Sequence, residues 1–159
     1  MAISVIEKIE IDAIPADVAK IMFDPNNDIR WMGGIHEVRK IDSLPLKEGS
    51  TVHRIAGFAG KKIDYILEVV RVIPDHLLEF ETTKSPFPMN IIYQISDFEN
   101  NKSLAQITLK GSSKGFLMFL DRLSTIMVSQ NLKGDLRHLR DMVEGKTWQE
   151  NPPSTNDVE

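Results

Sequence analysis

The sequence contains no cysteine among its 159 residues. Disulfide bonds, thiolate catalysis, zinc–thiolate sites and iron–sulfur clusters are therefore excluded. The sequence also lacks any apolar run that approaches the roughly 18 residues of a transmembrane helix, so we expect no membrane span. The absence of cysteine does not decide the compartment, although it fits a reducing cytosol.

An excess of positive charge is missing as well. The formal net charge is −4 and no basic stripe is visible, which argues against a nucleic-acid-binding surface. The N-terminal residues mix acidic and apolar side chains without a basic segment followed by an apolar one, so we expect no signal peptide. With 42% hydrophobic and 26% charged residues, the composition is typical of one soluble domain, which we expect to be cytoplasmic.

Sequence signals for metals and cofactors are also missing. The Gly33-Gly34 pair and the Gly111–Gly115 segment lack the sequence context of a phosphate-binding loop. The histidines are scattered, and none has the spacing of a metal site. They are His36, His53, His76 and His138. We therefore assign neither a metal nor a cofactor.

About a hundred residues of the sequence have the pattern of β-strands. Alternating apolar and polar residues from Ile3 to Ile11 predict a first strand that ends before Pro15. Two short helices are predicted next, over residues 16–23 and 24–31, and six further strands lie between residues 35 and 110. Because the strands are bunched rather than alternating with helices, the pattern predicts an α+β protein with an antiparallel sheet of about seven strands.

A helical pattern of roughly 30 residues, from Gly115 to Glu144, closes this strand-rich region. Helical spacing places many of its apolar residues on one broad stripe, which predicts packing on the concave side of the sheet. Thr125 and Ser129 lie in the middle of the stripe, where a solid core would more often have Leu or Ile. We therefore predict a cavity between sheet and helix. The stripe comprises Leu117, Met118, Thr125, Val128, Ser129, Leu132, Leu136, Leu139 and Val143.

The first half of this helix carries a second apolar stripe, nearly opposite the first. Either the helix breaks near Asn131 or Gly134, where a glycine costs about 1 kcal/mol inside a helix, or the second stripe is covered by a loop, a ligand tail or a partner chain. We expect the residues from Phe116 to Leu123 to contact either the Ser85–Met89 loop or a second subunit in a homodimer. The stripe comprises Phe116, Phe119, Leu120, Leu123, Ile126 and Met127.

Several segments also match a known pattern in type and order. They are the opening Ile9–Pro15 sequence, Trp31 after Asp24-Pro25, Gly49 before a strand, the Ser85–Pro88 block and the closing Asn131–Arg140 segment. Together with the element order, they resemble the polyketide cyclase/dehydrase branch of the START-like, or SRPBCC, superfamily. The resemblance covers about residues 3–145. We therefore assign residues 1–145 to one START-like domain and predict that residues 146–159 form a disordered tail.

The resemblance implies a helix-grip fold, in which a curved antiparallel sheet wraps a long C-terminal helix. Such proteins have a deep apolar cavity for lipids, polyketides, sterols or other small hydrophobic ligands. The fold alone does not establish function, because one fold can carry many sites. Candidate site residues therefore have to be argued one by one.

Two tyrosines are candidates because of their strand parity. Tyr65 and Tyr93 lie at the alternate positions of their strands that are otherwise apolar, so their side chains are expected to face the interior. Their hydroxyls then need hydrogen-bond partners there. The partner is either a ligand carbonyl or a neighbouring core residue. Both alternatives remain open from the sequence.

Arg54 is the candidate cation of the interior. It shares parity with Ala56 and Phe58, and if these residues face inward its guanidinium needs an anion, either a ligand carboxylate or Glu7. The competing register turns His53 inward and leaves Arg54 in solvent, because a slip of one residue flips every side chain. We favour the register with Arg54 inside.

The turn after the first strand supplies further candidates. The resemblance places Trp31 and Met32 near the cavity mouth, where the indole is either a wall of the cavity or a core anchor for the short helices. Asp24 and Asp28 are interpreted as helix caps or solvated turn residues. The predicted ligand-binding residues are Trp31, Arg54, Phe58, Tyr65, Leu67, Phe80, Tyr93, Thr125 and Ser129.

Three functions are compatible with these patterns. The favoured one is binding or transport of a small hydrophobic ligand between sheet and helix, because the inward rows are apolar with a few polar groups. The second is a cyclase, aromatase or dehydratase in which Tyr65, Tyr93 and Arg54 polarise a carbonyl, although no inward His–carboxylate pair or Ser/His/Asp spacing is visible. The third is a protein-interaction module that uses the second apolar stripe.

Overall fold

The computed structural model describes residues 2–58, 60–85, 88–112 and 122–145. Within these ranges the chain forms seven strands, two short helices with a 3₁₀ turn between them, and one long helix. The strands are β1 (Ala2–Ile11), β2 (Ile35–Ile41), β3 (Thr51–Phe58), β4 (Lys61–Ile73), β5 (Leu77–Lys84), β6 (Met89–Phe98) and β7 (Lys102–Ser112). The helices are α1 (Pro15–Met22), α2 (Asp28–Trp31) and α3 (Arg122–Glu144), with the 3₁₀ turn at Pro25–Asn27.

The seven strands form one antiparallel sheet in the order β1-β7-β6-β5-β4-β3-β2. Every strand from β2 to β7 pairs with its sequence neighbour, and β1 closes the far edge by pairing with β7. The sheet curls into a half-barrel, and α3 packs against β1. The predicted α+β class, the seven-stranded antiparallel sheet and the two short helices after the first strand are confirmed.

The inward rows of the strands follow from the alternating sequence. In β4, Ile63, Tyr65, Leu67 and Val69 are all buried, while the residues between them are more exposed. Such alternation is what a strand with one buried face requires. Gly49 makes the turn before β3 with a φ of +89°, a conformation that other residues rarely adopt.

Helix α3 packs on the core along the predicted stripe. Leu136, Leu139 and Met142 are buried, and Val128 and Leu132 are partly buried against them. Met142 was not part of the predicted stripe. The helix runs without interruption from Arg122 to Glu144, so the predicted break near Asn131 or Gly134 is wrong within this range. None of the described helices is long and apolar enough to cross a membrane.

The second apolar stripe is described only at its end. Ile126 and Met127 are 56% and 43% exposed on α3. The predicted contact of Phe116, Phe119 and Leu120 lies outside the described residues, as do the side chain of Leu123 and the tail over 146–159. Loop closure, dimerisation through this face and disorder of the tail therefore stay predictions.

Candidate ligand-binding site

Arg54 enters the interior of the protein from β3. Its neighbours at the same parity are Val52, which is fully buried, and Ala56, which lines a cavity under α3. The Arg54 side chain itself is only 2% exposed. The favoured register, with Arg54 inside, is therefore confirmed.

The counterion of Arg54 is Asp28 at the start of α2. Arg54 Nε donates to Asp28 Oδ2 at 2.7 Å, and Arg54 Nη2 lies 2.6 Å from the same oxygen. Asp28 is 1% exposed, so it is not a solvated turn residue; it is the C-cap of the 3₁₀ turn through its backbone N–H, which donates to the Pro25 carbonyl, while its carboxylate pairs with Arg54. Glu7, the partner considered from the sequence, accepts a hydrogen bond from Ser129 instead. Asp24 does act as a cap, since its side chain accepts from the Asn26 N–H at 3.0 Å.

The ion pair uses only one oxygen of the Asp28 carboxylate. Asp28 Oδ1 is buried and has no hydrogen-bond partner among the described residues, and the same holds for Trp31 Nε1. Burial raises the pKa of Asp28 from 3.8 to about 6, although Arg54 acts in the opposite direction. Asp28 is therefore ionised at neutral pH. The nearby carboxylate in turn raises the pKa of Arg54, despite the cost of burying the guanidinium, so Arg54 is always charged.

Two tyrosine hydroxyls surround the ion pair. The Tyr93 hydroxyl accepts a hydrogen bond from Arg54 Nη2 at 3.3 Å and lies 3.6 Å from the sulfur of Met32. Tyr65 is the register partner of Arg54 on the neighbouring strand β4. Burial raises the pKa of both tyrosines, so both hydroxyls carry their protons at neutral pH. Each of them is therefore a hydrogen-bond donor within an apolar interior.

Aromatic rings hold this polar group in place. The Arg54 guanidinium lies 5.4 Å from the centre of the Phe80 ring, within the range of a cation–π contact. Phe80 and Trp31 each meet the Tyr93 ring edge-on, at centroid distances of 5.7 and 5.9 Å. These contacts leave Tyr93 and Arg54 little freedom to change rotamer.

A cavity of about 190 Å³ lies between the sheet and the first described turns of α3. It is smaller than the roughly 300–1,000 Å³ of pockets for drug-sized ligands. Most of its walls are aliphatic. The lining residues are Met32, Gly34, Ile35, Arg54, Ala56, Gly57, Ile63, Tyr65, Met89, Ile91, Tyr93, Ile107, Leu109, Val128, Asn131, Leu132 and Asp135.

Asp135 places a carboxylate on the helix side of the cavity. Asp135 on α3 accepts a hydrogen bond from the Gly33 N–H at 3.0 Å, which ties the helix to the turn after α2. Burial raises its pKa from 3.8 to about 6, while the bond from Gly33 and the nearby His138 act in the opposite direction. Nearer the start of α3, Ser129 donates to Glu7 Oε1 at 2.6 Å and joins the helix to β1.

The predicted site residues fall into four groups. Arg54, Tyr65 and Tyr93 line the cavity, and a role in ligand binding stays a prediction for them. Three others are buried in the core outside the lining set, and one, Ser129, bonds to Glu7. The core residues are Trp31, Leu67 and Phe80. The side chains of Phe58 and Thr125 lie outside the described part of the structure.

For Trp31, the geometry matches the core-anchor alternative. Its side chain is fully buried, and its backbone carbonyl faces His138 on α3 at 3.4 Å. Met32, the next residue, does reach the cavity wall. The C-terminal end of α2 therefore contributes Met32, rather than the Trp31 indole, to the cavity wall.

Sequence reasoning missed two acidic residues of this region. Asp28 lies in turn-forming sequence, and its distance of 26 positions from Arg54 gives no sign of a pair. Asp135 lies between the apolar positions of α3, and it was assigned no role from the sequence. The usable signal for Asp28 was the need of an inward arginine for an anion within reach.

A second groove on the protein is larger than the cavity under α3, but its charged lining residues are more exposed. About 490 Å³ lies between α1 and the loop before β3, with Phe23, Leu46 and Leu78 among its walls. Its charged lining residues, Lys20, Asp24 and Asp75, are not buried. Because a binding site needs buried polar groups that converge on a ligand, the cavity under α3 is the better candidate.

The sequence matches no protein-family model and no curated protein. Solved structures, in contrast, share its fold. A START superfamily protein from Mycobacterium smegmatis superposes with a TM-score of 0.72 at 14% identity, over 89% of this chain and 97% of that one. This chain has the helix-grip fold of START-like proteins.

Two further helix-grip structures show how widely this fold is used. Zhui aromatase/cyclase from Streptomyces sp. R1128 has a TM-score of 0.70 at 12% identity, over 91% of this chain and 94% of that one. Major latex-like protein 151 from Panax ginseng has a TM-score of 0.66 at 12% identity, over 89% and 97%. At these identities the likeness establishes the fold, and function has to be argued from the site.

Proposed function

We propose that this protein binds a small, largely apolar molecule in the cavity between the sheet and α3, as a binding or carrier protein. The observation that supports this most is the combination of aliphatic walls with Arg54, Tyr65 and Tyr93 on one side of the cavity. Apolar walls supply the free energy of binding, and a few fixed polar groups orient the ligand. Lipids of modest size fall within this class, and a cytoplasmic location remains our expectation.

Two substitutions on α3 test this proposal. Val128 lines the cavity, whereas Ile126 is 56% exposed on the same helix. Val128→Phe should fill cavity space and lower the affinity for acetylnaphthalene, a two-ring neutral probe, by about tenfold or more. Ile126→Phe should leave that affinity unchanged. Calorimetric titration measures both, and equal affinities for the two variants would contradict the proposal.

Native mass spectrometry supplies a second test. Protein purified from cells should carry an apolar molecule in one-to-one ratio, and Val128→Phe should reduce its amount. The bound mass would also name the ligand. If the unmodified protein and the variant carry the same adduct, the adduct binds elsewhere.

A cyclase, aromatase or dehydratase activity is the second candidate. It is favoured by the buried donors of Arg54 and Tyr65, which could stabilise negative charge developing on a carbonyl oxygen. Its test is turnover of a polyketide-like ketone: Tyr65→Phe and Arg54→Ala should abolish turnover, and Tyr65→Phe should retain nearly the full melting temperature. Equal losses of turnover and stability in Tyr65→Phe would indicate a structural role.

An interaction role is the third candidate. Ile126 and Met127 are exposed on α3 and continue the stripe that the sequence predicts from Phe116 to Leu123. Homodimerisation through that stripe would cover them. Sedimentation of Ile126→Lys beside the unmodified protein tests it, since a dimer through this face should dissociate.

A further inference from the structure

The positive charge of Arg54 is already balanced inside the protein. Its Nε and Nη2 both approach Asp28 Oδ2, within 2.7 Å. The second oxygen of the same carboxylate, Oδ1, has no partner among the described residues. The pair therefore presents no surplus positive charge to the cavity that Arg54 lines.

Asp135 adds a negative charge on the opposite wall. Arg54 and Asp135 are the charged side chains among the described lining residues. With both carboxyl pKa values near 6, Asp28 and Asp135 are mostly ionised at about pH 7.5, and the region carries a net charge of about −1. A ligand carboxylate in this cavity would lose its hydration and find no unpaired cation, which is strongly unfavourable.

A ligand with a neutral hydrogen-bond acceptor is favoured in the same cavity. Tyr65 lines the cavity beside Arg54 and carries a hydroxyl proton at neutral pH. A hydroxyl can donate to a ketone oxygen without any charge being buried. The surrounding walls from β4, β6 and α3 are aliphatic and suit the hydrocarbon part of such a ligand.

We propose that Asp28 sets the charge preference of the cavity, which accepts a neutral ligand with a hydrogen-bond acceptor such as a ketone and rejects a carboxylate of the same size. The inference rests on the proposed function and narrows its ligand class. Asp28 acts through Arg54, because the two side chains form an ion pair with no net charge. Asp28 is therefore a specificity-determining residue rather than a direct ligand contact.

A pair of probes that differ in one group tests the preference. Acetylnaphthalene and naphthoate, substituted at the same ring position, share ring system and carbonyl, and only the second is anionic at about pH 7.5. The unmodified protein should bind the ketone about tenfold or more tighter in calorimetric titrations. Naphthoate binding as tightly as the ketone would overturn the inference while supporting the proposed function. Binding of neither probe would overturn both.

Asp28→Asn then tests the assignment to this residue. The variant frees the charge of Arg54, so naphthoate affinity should rise by about tenfold and ketone affinity should change by less than about threefold. Asp17→Asn, which removes a carboxylate from an exposed pair with Lys20, is the matched control and should keep the original preference. If Asp135→Asn reverses the preference and Asp28→Asn does not, Asp28 is the wrong residue.

Acidification provides the same test without a change at position 28, should Asp28→Asn fail to fold. Asp28 is surrounded by Arg54 on β3, Tyr65 on β4, Tyr93 on β6 and Asp24 in the preceding turn, and α3 adds Asp135 and His138. The double variant Asp135→Asn/His138→Gln removes the carboxylate and the imidazole that α3 contributes to this region. In that protein, lowering the pH from about 7.5 to about 5 should raise naphthoate affinity relative to the ketone by about threefold or more. An unchanged ratio would overturn the role of Asp28.

Discussion

Arg54 and Asp28 form a buried ion pair that joins the third strand to the second helix, with Arg54 Nε 2.7 Å from Asp28 Oδ2. Both side chains are almost completely shielded from solvent, at 2% and 1% exposure. A buried charge without its partner is far less stable than the pair, whereas replacement of both charges by apolar groups is often tolerated. The pair therefore matters for stability mainly when one partner is removed.

The first prediction is a double-mutant cycle on this pair. Asp28→Leu leaves Arg54 as an uncompensated buried charge and should lower the free energy of unfolding by about 3–5 kcal/mol. Adding Arg54→Met should recover at least about 2 kcal/mol of that loss. Urea unfolding measures both. Asp17→Asn, in an exposed pair, is the control and should cost less than about 1 kcal/mol. If the losses of stability at positions 28 and 54 were additive, the predicted coupling between the two residues would be contradicted.

The two tyrosines should respond differently to loss of the hydroxyl. The Tyr93 hydroxyl accepts from Arg54 Nη2, and Tyr93→Phe removes one of the two acceptors of this buried nitrogen, so the free energy of unfolding should fall by about 1–2 kcal/mol. Tyr65→Phe should mainly lower the affinity for acetylnaphthalene, because the Tyr65 hydroxyl, which also interacts with Arg54, is the proposed donor to the ligand. Thermal unfolding and calorimetric titration of both variants check this, and the reverse order of effects would refute it.

Asp135 should make stability depend on pH between about 4 and 6. Its folded-state pKa of about 6 lies above the unfolded value of 3.8, so within that window the folded protein holds a proton that the unfolded chain has lost. The contribution of Asp135 to the free energy of unfolding is therefore fully present at low pH. It falls by up to about 3 kcal/mol as the pH rises through the window. Asp28, whose pKa is raised in the same way, contributes a fall of the same sign.

Asp135→Asn isolates the contribution of this residue. The amide oxygen of asparagine can still accept the hydrogen bond from the Gly33 N–H, while the titrating group is gone. The fall in stability between about pH 4 and pH 6 should therefore become smaller, which urea unfolding at several pH values measures. An unchanged pH profile would show that Asp135 titrates alike in both states.

The hydrogen bond from Ser129 to Glu7 should couple α3 to the first strand. Ser129→Ala leaves a half-buried carboxylate without its donor and should cost about 1 kcal/mol. Glu7→Ala should cost a similar amount, and the double variant should cost less than the sum by about 0.5–1 kcal/mol. Chemical unfolding of the four proteins gives this coupling energy. A value of zero would mean that the contact adds nothing in solution.

Local sequence rules account for most of the fold. Alternation of apolar and polar residues in a strand, such as Ile63 to Val69, is set by a geometry that does not depend on the rest of the chain. The same is true of the helical stripe that buries Leu136 and Leu139. These patterns, with turn-forming segments between them, were sufficient to predict the antiparallel sheet, the two short helices and the closing helix.

The candidate site was predicted less completely, because its decisive contacts join distant parts of the chain. Parity placed Arg54, Tyr65 and Tyr93 inside, since parity is a local property. The sequence offered a ligand carboxylate or Glu7 as the anion for Arg54 and did not identify Asp28, because that contact depends on where α2 packs against the sheet. The same limit kept Trp31 undecided between a cavity wall and a core anchor.

The sequence by itself determined which side chains face inward, because a strand and a helix impose their own periods on any chain. Only the tertiary structure decided which of these inward groups meet: Asp28 with Arg54, Ser129 with Glu7, and Asp135 with the Gly33 N–H. The physical reason is that a buried charge is stabilised by whatever partner lies within a few ångströms, and such distances follow from packing rather than from sequence spacing.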